Sequence, residues 1–185
     1  MSVRYIVLVE PEVPENTGFI ARLCENFNFG LRVLRPEFNL SEARKTANNA
    51  QEKLRNTEIF DDLDEAVKDL DFVVGTKPGK GVSSKKFSFR ENTSIMLGRE
   101  SSGLSNSELE ICDAVIHIES DYSSLNLSHA ASVLMYEAYQ PENKAVNNKR
   151  LEFFEREYGG YLRDLISRAS PTDEEIDRLL GELNR

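Results

Sequence analysis

The chain has 185 residues, with 32 acidic and 23 basic side chains, a formal net charge of −9, 39% apolar and 30% charged residues. That length suffices for one α/β domain with a sizeable core. It contains no run near the ~20 apolar residues of a membrane helix, and its two cysteines and two histidines give neither a disulfide framework nor a metal motif. Net acidity argues against a surface that coats nucleic acid throughout, so such a partner would have to meet a local patch.

In chain order, "VRYIVLV" (3–9) reads as a buried strand rich in β-branched residues. Its apolar run is too short for a signal peptide and acids follow at once, which predicts a cytoplasmic, reduced protein. "PENTGFIARLCENFNFG" (14–30) predicts a helix with Phe19, Ile20, Leu23, Cys24 and Phe27 on one face and Gly30 as its stop. "LRVLRP" is a second strand, and residues 41–55 predict one further helix. "IFDDLDEAVKDL" gives a short extended piece and a helix capped by Asp61 or Asp62. Then come a strand "DFVVGT", a strand "TSIMLG", a helix "SNSELEIC", a strand "AVIHI" and a helix with an apolar stripe of Leu127, Ala130, Ala131, Leu134, Met135 and Ala138. Strands that are continuous apolar runs alternating with helices predict a parallel sheet covered on both faces. We expect one domain over 1–142. A linker at 143–148 then opens a C-terminal extension over 143–185, made of two amphipathic helices.

In open parallel sheets ligands bind beyond the carboxyl ends of the strands. Three polar clusters fall there: Gly75 to Pro78, "GRESSGLS" (98–105), and Tyr122 to Ser128. The last crowds hydroxyls and an amide at the entrance of a helix that needs only one cap. "GTKPGKG" is not a P-loop and there is no G-x-S-x-G elbow. His129 has the chemistry of a base, although a helix-borne histidine beside Ala130 is more often structural. Arg22 lies off the first helix's apolar stripe, one turn after Gly18, with Asn16 nearby. A mid-helix glycine costs about 1 kcal/mol against alanine and points to close approach of a backbone or a ligand. From Thr76 to Arg90 the chain carries Lys77, Lys80, Lys85, Lys86 and Arg90 with no acid, either a solvated loop or a patch for a phosphate backbone.

Together these segments resemble the TrmH/TrmJ branch of the SPOUT methyltransferases. "PENTGFIARLCENFNFG" resembles its first motif, with Asn16, Gly18 and Arg22. "IMLGRESSGLS" resembles the second, with Gly98, Glu100, Gly103 and Leu104. "YSSLNLSHAASVLMYE" resembles the third, with Ser124, Asn126 and a helix ending at Glu137. The likeness covers residues ~3–140, and the stretch from Ala43 to Pro78 is most similar to TrmJ, in a short, archaeal-type form. The resemblance implies a parallel sheet flanked by helices with a C-terminal deep trefoil knot, an exception to the rule against threaded chains. It implies S-adenosylmethionine held by Thr76, Lys77, Pro78, Gly98, Ile118, Ser123, Ser124, Leu125 and Leu127. Arg22 and Ser124 would be catalytic, supported by Asn16, Glu100, Tyr122 and Asn126, with Lys85 and Lys86 on tRNA phosphates and the active sites of a homodimer shared between subunits. The implied reaction is methylation of a ribose 2′-hydroxyl in tRNA, at nucleotide 32 of the anticodon loop, a cytidine or uridine. Another tRNA position, ribosomal RNA, or a non-catalytic knotted RNA-binding protein are the alternatives.

Overall fold

The computed structural model of the protein describes residues 4–122, 124–139, 153, 156–159 and 178–182. The chain divides into two compact units, 1–139 and 140–185. The extension expected over 143–185, with its linker, falls largely outside the described residues. Of it, residues 156–158 and 178–182 are helical.

The first unit is built on seven strands: β1 (Tyr5–Val9), β2 (Gly30–Leu34), β3 (Glu58–Phe60), β4 (Phe72–Thr76), β5 (Val82–Ser83), β6 (Thr93–Leu97) and β7 (Ala114–His117). All pair in parallel, in the order β3-β2-β1-β6-β4-β7-β5. The longer helices are α1 (Pro14–Phe27) and, at the end of the unit, α6 (Leu127–Ala138). Between them lie α2 (Arg44–Ala47), α3 (Gln51–Arg55), α4 (Leu63–Val67) and α5 (Asn106–Glu110).

Alternation along each strand sends side chains to two cores. Ile6, Leu8 and Ile95 join Ile20, Cys24, Ala47, Leu54, Leu134 and Met135 from α1, α2, α3 and α6. Val7, Val9 and Met96 join Leu63, Val67 and Leu109 from α4 and α5 on the other face. This is why the central strands β1, β2 and β4 read as largely apolar runs. A charged residue among them is Arg32 in β2, almost fully buried. Its guanidinium makes a fork to Asp69 at 2.7 and 2.8 Å, donates to the Ala66 carbonyl at 2.8 Å and lies 4.0 Å from the centre of the Tyr5 ring.

Several boundaries differ from the sequence expectation. The helix over 41–55 is broken into 3-10 and α turns, because Asn48 takes a positive φ of 50°. Gly18 explains what that segment does: a Cβ there would lie 2.0 Å from Thr46 Oγ1 and 2.3 Å from the Ala43 carbonyl oxygen. The missing side chain thus admits a neighbouring backbone, not a ligand. Helix α1 is ended by Asn28, left-handed at φ 56°, and Gly30 already belongs to β2. Asp62, not Asp61, caps α4. Helix α5 stops at Glu110, so Cys112 sits in the following turn. Strand β5 was not expected at all; its two residues hold the middle of the basic segment against β7.

Candidate active site

The carboxyl ends of β1, β6 and β4 lie side by side in the sheet. There the three motifs, more than 80 residues apart in places, are joined by hydrogen bonds. Asn16, in the first turn of α1, does not cap that helix; Val13 occupies the cap position and makes no side-chain bond. Instead Asn16 Nδ2 donates to Glu100 Oε1 at 3.0 Å, and Asn16 Oδ1 accepts from Asn126 Nδ2 at 3.0 Å. Asn126 in turn caps α6, its Oδ1 accepting from the Ser128 amide and hydroxyl at 2.9 and 2.7 Å and from the His129 amide at 3.4 Å. The second carboxylate oxygen of Glu100 accepts the Glu12 amide at 2.8 Å. The chain of contacts therefore fixes Glu100, Asn16 and Asn126 in one arrangement, with every polar atom of the two asparagine side chains and the carboxylate engaged at least once.

Glu12 was not anticipated. Its carboxylate accepts the Ser101 amide at 2.7 Å and hydroxyl at 2.6 Å, and the serine hydroxyl and amide hold it below the usual carboxylate range. The only sequence signal was its place as the second acid of "EPEVPEN" before the first motif.

Asn16→Ala should leave Glu100 Oε1 and Asn126 Nδ2 without partners in a half-buried setting. We expect a destabilisation of about 1–3 kcal/mol in urea unfolding, together with loss of whatever activity depends on the placement of Glu100.

The loop after β6 is shaped by Gly98. A Cβ there would lie 2.2 Å from the Gly103 carbonyl carbon and 2.3 Å from the Leu104 nitrogen. What approaches Gly98 is the backbone of its own loop. Gly103 supports the same fold with φ +67°, and its amide donates to the Arg99 carbonyl at 2.8 Å. Lys77 ties the β4 end to this loop, its ammonium donating to the Leu104 carbonyl at 2.8 Å and its amide to the Ile116 carbonyl at 3.1 Å.

Pro78 and Ile118, from the ends of β4 and β7, face a common cleft of about 550 Å³ whose walls also include Gly79, Lys85, His117 and Glu119. That is within the size range of small-molecule sites. Thr76 ends β4 opposite Ile116, and Leu127 is buried at the start of α6. Ser124, Leu125 and Tyr122 are exposed in the loop before α6, Tyr122 at 76%, and Ser123 lies outside the described residues. Neither Ser124 nor Arg22 makes a hydrogen bond or ion pair among the described residues; both are exposed, and the structure does not join them within one chain. His129 is exposed in the first turn of α6, its amide donating to Asn126 Oδ1, and among the described residues its ring makes no hydrogen bond.

The basic segment is only partly free. Lys77 is spent on Leu104, Lys80 donates to Asn106 at 2.9 Å, and Arg90 lies 4.4 Å from the centre of the Phe72 ring. Lys86 is exposed, and Lys85 stands 4.0 Å from Glu119 with two thirds of its side chain exposed. Burial pushes Cys112 up to about 12 and Cys24 well above the ordinary thiol range, so neither is a thiolate nucleophile. Among the described residues no group of three His, Cys, Asp or Glu side chains is arranged to hold a metal, and no helix is long and apolar enough to cross a membrane.

A wholly parallel, doubly covered sheet, with glycine-shaped loops and a polar network gathered at its carboxyl ends, is the architecture of an α/β protein that acts at the topological switch of its strands. Residues 4–136 match the SpoU rRNA Methylase family, and the chain belongs to that family. It is 34% identical to the "tRNA (cytidine-2'-O-)-methyltransferase TrmJ" of Methanocaldococcus jannaschii, over 88% of this chain and 77% of the relative. It is 30% identical to the protein of the same description in Sulfolobus acidocaldarius, over 79% and 68%. A chain solved in work on "2-OH methylation of C/U34 on tRNA" superposes with a TM-score of 0.68 at 27% identity, covering 75% of this chain and 95% of that one.

Proposed function

We propose that the protein transfers a methyl group from S-adenosylmethionine to a ribose 2′-hydroxyl in tRNA, at nucleotide 32 of the anticodon loop, with cytidine or uridine as the base. The observation that carries this reading is the hydrogen-bonded chain from Asn126 through Asn16 to Glu100, in a protein whose archaeal relatives are described as tRNA cytidine 2′-O-methyltransferases. The residues fit the cofactor: Pro78 and Ile118 offer an apolar wall for a flat base in a cleft also lined by Lys85 and Glu119, and main-chain groups at three adjoining strand ends lie beside it. Its sulfonium supplies an electrophilic methyl. We place it in a trefoil knot formed by the loops after β4, β6 and β7, with Thr76, Lys77, Pro78, Gly98, Ile118 and the 123–127 segment around it.

The protein's own part is to orient the ribose and take its proton. With the methyl donor bound, the ribose oxygen would take the methyl group and would have to give up its proton. Arg22 and Ser124 do this work, Arg22 by positioning and by removing the proton directly or through a hydroxyl or phosphate relay, since a guanidinium is a weak base. Because Arg22 has no hydrogen-bond or ion-pair partner among the described residues, we assign it to the site of a second subunit in a homodimer. Phe19, Val133 and Tyr136 are exposed apolar side chains on α1 and α6, with Tyr136 edge-on to Phe27 at 6.4 Å, and would suit that contact. Such an enzyme works in the cytoplasm, on tRNA held by Lys85 and Lys86.

Mapping of 2′-O-methyl groups in tRNA after incubation with protein and S-adenosylmethionine tests the reading. A methyl at nucleotide 32 is the expected result. A methyl at the wobble nucleotide instead would favour the second reading, which rests on the likeness to the chain studied with C/U34. Methylation of ribosomal RNA alone, or RNA binding without transfer, would overturn the proposal. Changing Lys85 and Lys86 together to alanine should weaken tRNA binding and make the slope of log affinity on log salt shallower by about 1.5, with cofactor affinity unchanged. An unaltered slope would make the segment a solvated loop.

A further inference from the structure

Glu100 and Arg99 are neighbours that serve opposite sides of one loop. Glu100 faces Asn16. Arg99 faces a ladder of charges that no motif resemblance assigns. Its Nε donates to Glu10 Oε2 at 2.6 Å, its two terminal nitrogens make a fork to Glu108 at 2.9 and 3.1 Å, and Nη1 reaches the Gly103 carbonyl at 3.3 Å. Glu10, just past β1, also accepts from Arg35, just past β2, at 2.7 Å, and both residues hold positive φ, 47° and 41°. Glu108 is the reciprocal partner of Ser105 in the capping box of α5. Burial opposes its ionisation, yet the Arg99 fork and the Ser105 amide outweigh that and keep the carboxyl below its usual range.

The guanidinium thus spans β1, the start of α5 and the turn that closes over Gly98. Left-handed backbone at two non-glycine residues is a cost that surrounding contacts have to hold in place. Surface ion pairs contribute little, but Arg99 is four-fifths covered and bidentate, the geometry in which arginine sets position.

We infer that Arg99 is a positioning residue of the proposed methyl transfer. It clamps the loop from Gly98 to Ser105, so that Glu100 stays in register with Asn16 and the Leu104 carbonyl stays beneath Lys77. The inference rests on the cofactor reading given above. Arg99 touches neither substrate nor cofactor; it acts through the loop.

The test measures, on the full chain, amide hydrogen exchange at Ser101, Gly103 and Ser105, affinity for S-adenosylmethionine by calorimetry, and kcat and KM with tRNA. Wild type comes first: a protein that neither binds the cofactor nor methylates RNA would sink the enzyme reading, whereas the exchange measurement remains a reading of the clamp itself. Arg99→Ala should speed exchange at the three amides about tenfold or more as the loop opens locally. It should weaken cofactor binding about tenfold, and lower kcat by up to about 10²-fold through misplacement. KM for tRNA should stay within about twofold, a split that general destabilisation would not produce. Arg99→Lys keeps the charge but loses the fork, and should recover less than half of the affinity. If Arg99→Ala does not fold, Glu108→Gln, which keeps shape and most of the cap, carries the same expectations at smaller size. Exchange unchanged from wild type, or faster exchange with cofactor affinity unaltered, would overturn the positioning role.

Discussion

Mixing two inactive proteins, Arg22→Ala and Ile118→Trp, should restore methylation to roughly a quarter of the wild-type rate. Arg22 is exposed on α1 with no bond to its own chain among the described residues, so its loss should leave the fold intact while costing about 10²–10⁴-fold in rate, the range for a group that moves a proton. Ile118 lines the cleft with Pro78, and an indole there should fill the space assigned to the cofactor. If chains pair at random about half the dimers are mixed, and each mixed dimer has one site with an intact arginine and an intact cleft and one with neither. That count yields the quarter. Were each site built within one chain, no mixed dimer would hold a complete one. Continued inactivity, with heterodimers seen by native mass spectrometry, would place Arg22 in its own subunit's site or outside catalysis.

Gly98→Ala should be strongly damaging for so small a change. The added Cβ would meet the carbonyl carbon of Gly103 at 2.2 Å and the nitrogen of Leu104 at 2.3 Å, and main chain cannot swing aside as a side-chain tip can. Either β6 or the 99–104 loop has to move. Overpacking of this kind costs about 1–3 kcal/mol, which chemical denaturation would register. The larger effect should fall on cofactor affinity, because the displaced Leu104 carbonyl would no longer meet Lys77 and Glu100 would leave Asn16. The same methyl at Gly103 meets nothing within 4 Å; only its φ of +67° opposes the change, so Gly103→Ala should be milder. Equal affinity for S-adenosylmethionine in Gly98→Ala and wild type would separate this loop from the cofactor site.

How far the sequence reaches is visible at particular residues. The alternation of apolar runs with helical periods determined the class of fold, because a strand buried on both faces cannot hide its composition; Val7 and Leu8 enter different cores and both must be apolar. The three polar clusters were likewise legible as strand-end loops, since glycine suits tight turns and serine and asparagine cap helix entrances. Local pattern could not determine what each polar atom meets. Asn16 had the composition of a cap and became a bridge between Glu100 and Asn126, partners 84 and 110 residues away. Gly18 and Gly98 signalled close approach, but only packing decided that the approaching groups are the chain's own backbone. The break at Asn48, where φ is 50°, follows a turn packed against Gly18, a long-range contact that local helical propensity does not reveal. The pairings of Glu12 with Ser101 and of Arg99 with Glu10 could not be read locally, because they depend on β1 lying beside β6 in the sheet. Strand order is set by which crossovers can pack their helices, a property of the assembled domain that no short window of sequence contains.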